Sequence, residues 1–391
     1  MPAIGSIGRR HSIPIIYTRG THYEVGFDVG RTFASLIQEF IENCSTLNEE
    51  LLPAYNTIKG RQTYEDTLLS LKTNFPQYIR ELEGTADGSK VPFYKLFLLH
   101  LDRIITVSAG IKVNCQPVGC STICVNQPGY EILGHTEDAI TENLNHFYFV
   151  SAHITSEKPE GKWKVVEERF TSLCYPGHLP GYTMSYNHHG LVFSINTLSA
   201  LNVFGAKTPR HFLTRALLSA ENYSHALQIL EDVGCGAGDG CSINLTFLNE
   251  EKQRTFYNIE MAPSGTDKKS LLNVLPASLG ENLMHTNKYM RVSIPEEESC
   301  MLDSSVARMI ALQGYSEATN KCNVIELLSN ENNKEYPVFV STNDFVSTIA
   351  VGVFDCTEKT WSIYADNPKK TKPLVVLPLV LKNKETNSVC H

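Results

Sequence analysis

Gly119-Cys-Ser-Thr-Ile-Cys-Val-Asn126, followed at once by Gln127-Pro-Gly-Tyr130 and Glu131-Ile-Leu133, is the stretch whose reading decides the fold. From Cys120 to Asn126 the side chains alternate as a two-faced strand requires. Pro128 and Gly129 stand where a β-turn wants them, and Ile132 and Leu133 begin a returning strand, so the stretch predicts a hairpin.

The chain on either side of this hairpin differs in texture. Upstream, a compact apolar run from Ile13 to Tyr17 stops at Arg19-Gly20. Thr21 then offers an N-cap for a helix whose apolar positions Val25, Val29, Phe33, Leu36, Ile37, Phe40 and Ile41 follow a 3.6 period. A second helical stretch covers 63–71 and continues through Pro76, and Pro92 suits the first turn of a third that runs through Leu96, Leu99, Leu101 and Ile104. Downstream, strands are expected over 147–154, 182–186, 190–195, 242–248, 254–259, 347–354 and 360–365, with helices over 211–230 and 304–312. Strands that each need a buried face, with helices bunched rather than regularly alternating, predict an α+β fold in which two sheet layers are covered by helices: an αββα four-layer sandwich. The division falls at the hairpin, with residues 1–119 as a helical part and 120–391 as a strand-rich part, together one structural unit.

Composition narrows the function classes. Hydrophobic residues are 42% and charged residues 19%, which excludes a disordered chain. A net charge of -8 without a Lys/Arg cluster argues against nucleic-acid binding. The opening Met-Pro-Ala-Ile-Gly-Ser-Ile-Gly-Arg-Arg10 lacks the apolar run of a secretory signal, and the longest membrane-span candidate, Leu374 to Leu381, is short and broken by Pro378. No membrane segment is therefore expected, and a cytoplasmic setting would keep the 11 cysteines as reduced thiols. Cys115, Cys120 and Cys124 are close in sequence, but no Cys-x-x-Cys pair exists to clamp zinc, so neither a metal site nor a cofactor is expected. Gly234-Cys-Gly-Ala-Gly-Asp-Gly240 lacks the Lys-Ser/Thr ending of a phosphate loop and predicts a flexible turn.

A nucleophilic cysteine is the sharper reading. Gly-Cys occurs at Gly119-Cys120, Gly234-Cys235 and Gly240-Cys241, and only the first lies at the junction between the helical third and the first hairpin strand. A thiol there can attack the preceding Gly119 carbonyl, which carries no side chain to obstruct it. The peptide shifts to a thioester, water releases it, and the freed α-amine of Cys120 (ordinary pKa near ~8) becomes the base for its own thiol. Spacing alone leaves a small buried cysteine equally open at this position.

Six segments carry a family resemblance: Thr21-His-Tyr-Glu-Val-Gly-Phe-Asp-Val-Gly30, Leu82-Glu-Gly-Thr-Ala-Asp-Gly88, Gly119-Cys-Ser-Thr122, Gly134-His-Thr-Glu-Asp138, Tyr186-Asn-His-His-Gly190 and His285-Thr-Asn287. In this order they resemble the motifs of the acyl-coenzyme A:isopenicillin N acyltransferase family. The resemblance implies an N-terminal-nucleophile hydrolase fold, autocleaved between Gly119 and Cys120 into two fragments that stay associated as a heterodimer. It further implies Cys120 as nucleophile, Asp138 as the active-site aspartate, Thr122 as a supporting residue in the first strand, and Asn287 as part of the oxyanion hole. Residue chemistry by itself leaves Asp138 open as a turn cap and Asn287 as a local backbone partner.

The substrate the resemblance implies is a small β-alanyl amide of a biogenic amine, hydrolysed without a cofactor. Such a substrate carries a free ammonium, for which Glu137, Asp138 or Asp344 can supply a carboxylate. Strand alternation puts Glu137 on the solvent side if Asp138 faces inward. Two departures stand out: Lys288 ends the His-Thr-Asn segment, and Asn343-Asp-Phe-Val-Ser-Thr348 lacks the arginine of the family's Ser-Arg pair. The alternative reading, an acyl-CoA-dependent N-acyltransferase of the same fold, is the one weakened by that missing arginine.

Overall fold

The structure is a computed structural model describing residues 8–111, 119–249, 254–314, 318–341 and 345–382. In chain order the first part forms strand β1 (Ile15–Gly20) and helices α1 (His22–Thr32), α2 (Ala34–Asn43), α3 (Leu52–Tyr55), α4 (Ile58–Asn74), α5 (Pro76–Ser89) and α6 (Phe93–Ala109). The hairpin follows as β2 (Ser121–Gln127) and β3 (Tyr130–Ile140), then β4 (Tyr148–Thr155), β5 (Glu167–Cys174), β6 (Ser185–Asn187) and β7 (Leu191–Leu198). Helices α7 (Arg210–Leu217) and α8 (Tyr223–Glu231) precede β8 (Gly240–Phe247), β9 (Phe256–Ala262), β10 (Leu271–Ala277) and β11 (Glu281–His285). Helices α9 (Cys300–Gln313) and α10 (Lys321–Leu328) and strands β12 (Val346–Asp355), β13 (Thr360–Tyr364) and β14 (Val375–Pro378) complete the described chain.

Two sheets form, one ordered β1-β4-β5-β6-β7-β8-β9-β10 and the other β11-β2-β3-β12-β13-β14. Three apolar layers show how they stack. Val150 of β4, Phe193 of β7 and Ile243 of β8 pack with Val25, Leu82, Leu101 and Phe212 from helices of the first part and α7. The opposite face of that sheet meets the second sheet through Phe149, Val192, Cys124, Leu133 and Trp361. The outer face of the second sheet, Ile123, Val125 and Val351 among others, is covered by Leu312 of α9 and Val324 and Leu328 of α10. The order is helices, sheet, sheet, helices, which is the expected four-layer sandwich.

Local chemistry explains the segments that open the chain. Thr21 caps α1 in a reciprocal box: the Glu24 backbone N–H donates to the Thr21 hydroxyl at 3.3 Å, and the Thr21 N–H donates to the Glu24 carboxylate at 2.8 Å. The spaced glycines of α1 and α5 let the two backbones touch. A methyl at Gly26 would lie 1.9 Å from the Glu81 carbonyl oxygen, and one at Gly84 would lie 2.2 Å from that of Tyr23. The junction is locked by buried charge: Arg215 of α7 meets Glu81 of α5 at 2.7 Å and Glu168 of β5 at 2.6 Å, and His22 meets Glu81 at 2.9 Å. The motif residues Thr21, His22, Glu24, Gly26 and Gly84 therefore build the scaffold.

The expected elements differ from the observed ones where tertiary contacts or caps intervene. The single helix expected through Ile41 breaks at Phe33, whose ring stacks on Tyr148 of β4 at 3.9 Å. The one expected over 211–230 splits because Asn222 caps a new start, its side chain accepting from the His225 N–H at 3.0 Å. Strand β5 escapes a periodicity reading because its early acid, Glu168, is buried against Arg215. Among the described residues no helix is long and apolar enough to cross a membrane.

Candidate active site

The hairpin turn fixes what faces Cys120. Gln127 pairs with Tyr130, and the register continues through Thr122 opposite His135 and Ser121 opposite Thr136. One step further, Glu137 lies across from Cys120, and the Cys120 thiol donates to its carboxylate at 3.9 Å. Glu137 is thus buried beside the thiol and not solvent-facing, which corrects the alternation argument. That argument assumed an outer face open to water, whereas both faces of this sheet are covered.

Behind the thiol runs a buried polar chain. His135 Nε2 lies 3.1 Å from Glu137 and its Nδ1 lies 2.7 Å from the Thr122 hydroxyl. Thr122 also reaches Asn196 Oδ1 at 3.0 Å and accepts from Asn244 Nδ2 at 3.2 Å. The Tyr175 hydroxyl donates to Glu137 at 2.5 Å. Thr122 accordingly stands one layer below Cys120 and Glu137, and Asn244 joins the two sheets.

On the other face of β3, Asp138 accepts from the Thr348 hydroxyl at 2.6 Å. A register shift between Thr348 and Ala350 in β12 leaves Thr348 directly opposite Asp138. Burial pushes the Asp138 carboxyl up to about 7, against the pull of Arg308 and the Thr348 hydrogen bond. Burial also raises the Cys120 thiol well above its ordinary range, the Glu137 and Asp138 carboxylates add to this, and the Asp138 backbone hydrogen bond and Arg308 oppose it. The thiol is therefore held neutral.

Arg308 is the site residue that sequence reasoning missed. Its guanidinium donates to the Cys120 carbonyl at 2.7 Å, to the Ser121 hydroxyl at 3.0 Å and to Asn287 Oδ1 at 2.8 Å. Asn287 in turn donates one amide proton to the Thr197 carbonyl at 3.0 Å, which leaves its second amide proton unused by that bond. Gly119 is required here by space: a methyl on it would sit 2.3 Å from Asn287 Oδ1 and 2.4 Å from the Arg308 guanidinium. The signal for Arg308 is a helix packed inside out. In α9 the buried positions include Ser304, Ser305 and Arg308, whereas Val306 and Ile310 are 41% and 65% exposed.

Gly119, Cys120, Glu137, Asp138 and Asn287 all line one cavity of ≈ 310 Å³. Its lining also carries the rings of Tyr175, His178, Tyr182 and His211. Burial lowers His178 to about 4 and His211 well below its ordinary value, so this wall of rings is uncharged. Asp344, the other expected ammonium partner, lies outside the described residues. Among the described residues, then, the expected site residues converge on one cavity, with Thr122 directly beneath it.

The Asp138 carboxyl makes stability depend on pH in a defined direction. Its folded pKa of about 7 exceeds the unfolded value of about 3.9. Between those values the folded chain binds more protons, so stability falls as pH rises through that window and stays lower above it. In a Cys120→Ala background, Asp138→Asn is expected to add on the order of 2–4 kcal/mol at pH 8, with the gain shrinking toward pH 5. Urea unfolding at the two pH values checks this, and an equal effect at both would contradict the shift.

A four-layer sandwich with a buried cysteine leading from a glycine onto a central strand defines the N-terminal-nucleophile hydrolase fold. Within it, the chain belongs to the acyl-coenzyme A:6-aminopenicillanic acid acyl-transferase family, whose model matches residues 125–370. A curated relative, the beta-alanyl-dopamine/carcinine hydrolase of Drosophila melanogaster, is 52% identical over 380 residues, covering 96% of this chain and 98% of its own. Two solved structures of single-residue variants of the conjugated bile acid hydrolase from Clostridium perfringens align at 8% identity with TM-scores of 0.36 and 0.33, covering 68% of this chain and 100% of theirs.

Proposed function

We propose that this chain is a self-processing cysteine amidohydrolase that hydrolyses β-alanyl amides of aromatic biogenic amines. The observation that carries the reading is the Cys120 thiol, directly behind Gly119, facing a cavity shared with Asn287 and Glu137. The near-full-length similarity to a beta-alanyl-dopamine/carcinine hydrolase supports the substrate class.

In the first reaction the Cys120 sulfur attacks the Gly119 carbonyl carbon, the thiol proton passes to the amide nitrogen as the C–N bond breaks, and water hydrolyses the resulting thioester. The products are a carboxylate on Gly119 and a free α-amine on Cys120. That amine then takes the thiol proton, and the thiolate attacks the substrate amide. The second amide proton of Asn287 steadies the oxyanion, the amine leaves with the proton from the α-ammonium, and water clears the β-alanyl thioester. Asp138, buried and hydrogen-bonded by Thr348, holds the α-ammonium. A soft nucleophile supplying its own base needs no cofactor for these steps.

The acyl group fits Glu137 by length. In an extended β-alanyl group the ammonium lies about 3.8 Å from the carbonyl carbon, and attack needs roughly 3–3.5 Å between sulfur and carbon. With a carboxylate oxygen 3.9 Å from the sulfur, these lengths let the ammonium reach hydrogen-bond distance of Glu137. The uncharged wall of Tyr182, His178 and His211 then receives the aromatic amine.

Once cut, fragments 1–119 and 120–391 would stay together as a heterodimer. β1 lies parallel to β4 from Ile15 opposite Phe149 to Gly20 opposite Ile154, and Arg9 donates to the Thr348 carbonyl at 2.5 Å. A cytoplasmic setting would keep the chain's cysteines as reduced thiols.

The test is release of β-alanine and free amine from β-alanyl-dopamine, with the propionyl amide of the same amine as control. Glu137→Gln is expected to raise KM at least tenfold for the β-alanyl amide and little for the control. Equal losses on both would remove Glu137 as the ammonium partner. A requirement for CoA, with an acyl-CoA as product, would favour acyl transfer instead.

A further inference from the structure

Cys120 Sγ, His135 Nε2 and a Glu137 carboxylate oxygen lie within 4.8 Å of one another, and all three residues are buried. We propose that this cluster is a reversible inhibitory site for Zn²⁺, which binds the three side chains and masks the thiol. The inference goes beyond the amidohydrolase reading and needs neither the cut at Gly119 nor turnover.

The spacing is within a small side-chain adjustment of a tetrahedral site. Zinc bonds of about 2.0 Å to nitrogen and oxygen and about 2.3 Å to sulfur set ligand atoms roughly 3.3–3.6 Å apart. Here the Glu137 oxygens stand 3.1 Å from His135 Nε2 and 3.9 Å from Cys120 Sγ. His135 and Glu137 lie two residues apart on β3, and Cys120 immediately precedes β2, so hairpin register sets the separation. A thiolate, an imidazole and one carboxylate suit zinc better than magnesium or calcium. One thiolate and one carboxylate also cancel the two positive charges of the ion.

The polar chain behind His135 accommodates the bound state. With no metal, the Thr122 hydroxyl can donate to Nδ1 while Nε2–H donates to Glu137. For binding, the ring proton moves to Nδ1 and is donated to Thr122, whose hydroxyl then turns to Asn196 Oδ1, 3.0 Å away. That arrangement presents the Nε2 lone pair to the ion, with Thr122 fixing the tautomer from behind. The balance is one proton released, from the thiol of Cys120. Tyr175 stays on Glu137 and orients the carboxylate. Because Cys120 and Glu137 line the cavity, the fourth position faces it and remains open to water or to the Cys120 α-amine of a processed chain. Sequence spacing such as Cys-x-x-Cys cannot register ligands facing one another across a hairpin.

The test is titration of the full chain with Co²⁺ alone, read as thiolate-to-cobalt charge-transfer absorption in the near ultraviolet, then displacement by Zn²⁺. Wild type should show one equivalent with the thiolate band, and Cys120→Ala should lose that band. His135→Gln keeps an N–H donor for Glu137 but offers no imidazole, and it should bind at least ~10-fold more weakly with its thermal melt retained. Should that variant fail to fold, Glu137→Gln is expected to show the same weakening. A band of equal strength in Cys120→Ala, or none in wild type, would overturn the proposal. Intact mass on the same samples reports separately on chain cleavage.

Discussion

Replacing Arg308 with methionine is expected to lower kcat about 10²–10³-fold while KM for a β-alanyl amide changes little. The reason is positional. Arg308 holds Asn287 by its Oδ1 at 2.8 Å and so fixes the direction in which the amide protons point. It also pins the Cys120 carbonyl at 2.7 Å, which fixes the backbone from which the thiol and the future α-amine project. Both contacts act on the reacting geometry and neither faces the acyl or amine part of a bound substrate, which is why the loss falls on kcat. Lysine should not rescue: a single ammonium cannot serve three acceptors spread over Cys120, Ser121 and Asn287 as a planar fork does. The variant is also expected to lose about 2–4 kcal/mol, since buried acceptors on Asn287 and Ser121 lose their donor. Steady-state kinetics together with urea unfolding separate the two effects. A folded Arg308→Lys enzyme with wild-type kcat would remove Arg308 from the catalytic geometry.

Much of this arrangement was legible in the sequence, and the part that was not has a common cause. The hairpin at Pro128-Gly129 was readable because turn chemistry is local. Counting back from its Gln127–Tyr130 pair is enough to set Glu137 opposite Cys120, and what misled the alternation reading was the assumption that one face of the sheet is wet. The Thr21 cap was equally local. Arg308 was not, because an arginine beside serines on an amphipathic helix normally marks the solvent face, and only the folded site reveals that α9 turns that stripe inward. Glu81, Arg215 and Glu168 follow the same logic: each reads as a surface charge until the three meet in the core between α5, α7 and β5. Buried charges are chosen by their partners, and partners distant in sequence leave no periodic trace. The glycines of α1 and α5 stood out as motif positions, but their purpose, backbone contact between two helices, appears only when the helices are side by side.

The claim on which the proposed chemistry rests is that Cys120 cuts the bond before it. Geometry favours the step at Gly119, where even a methyl would lie 2.3 Å from Asn287 Oδ1 and 2.4 Å from the Arg308 guanidinium. The base matters for the later turnover: the thiol is held well above its ordinary range, and a free α-amine on Cys120 can take its proton where an amide nitrogen cannot. The most direct measurement is the intact mass of purified wild-type protein beside Cys120→Ala, under denaturing conditions that separate associated fragments. Wild type should give two species of about 13 and about 30 kDa, in proportion to 119 and 272 of 391 residues in a 43.6 kDa chain, with Cys120 as the new N-terminus, and Cys120→Ala should stay whole. A single uncut species in wild type that nonetheless turns over substrate would contradict the account, because the α-amine would then not exist to serve as the base.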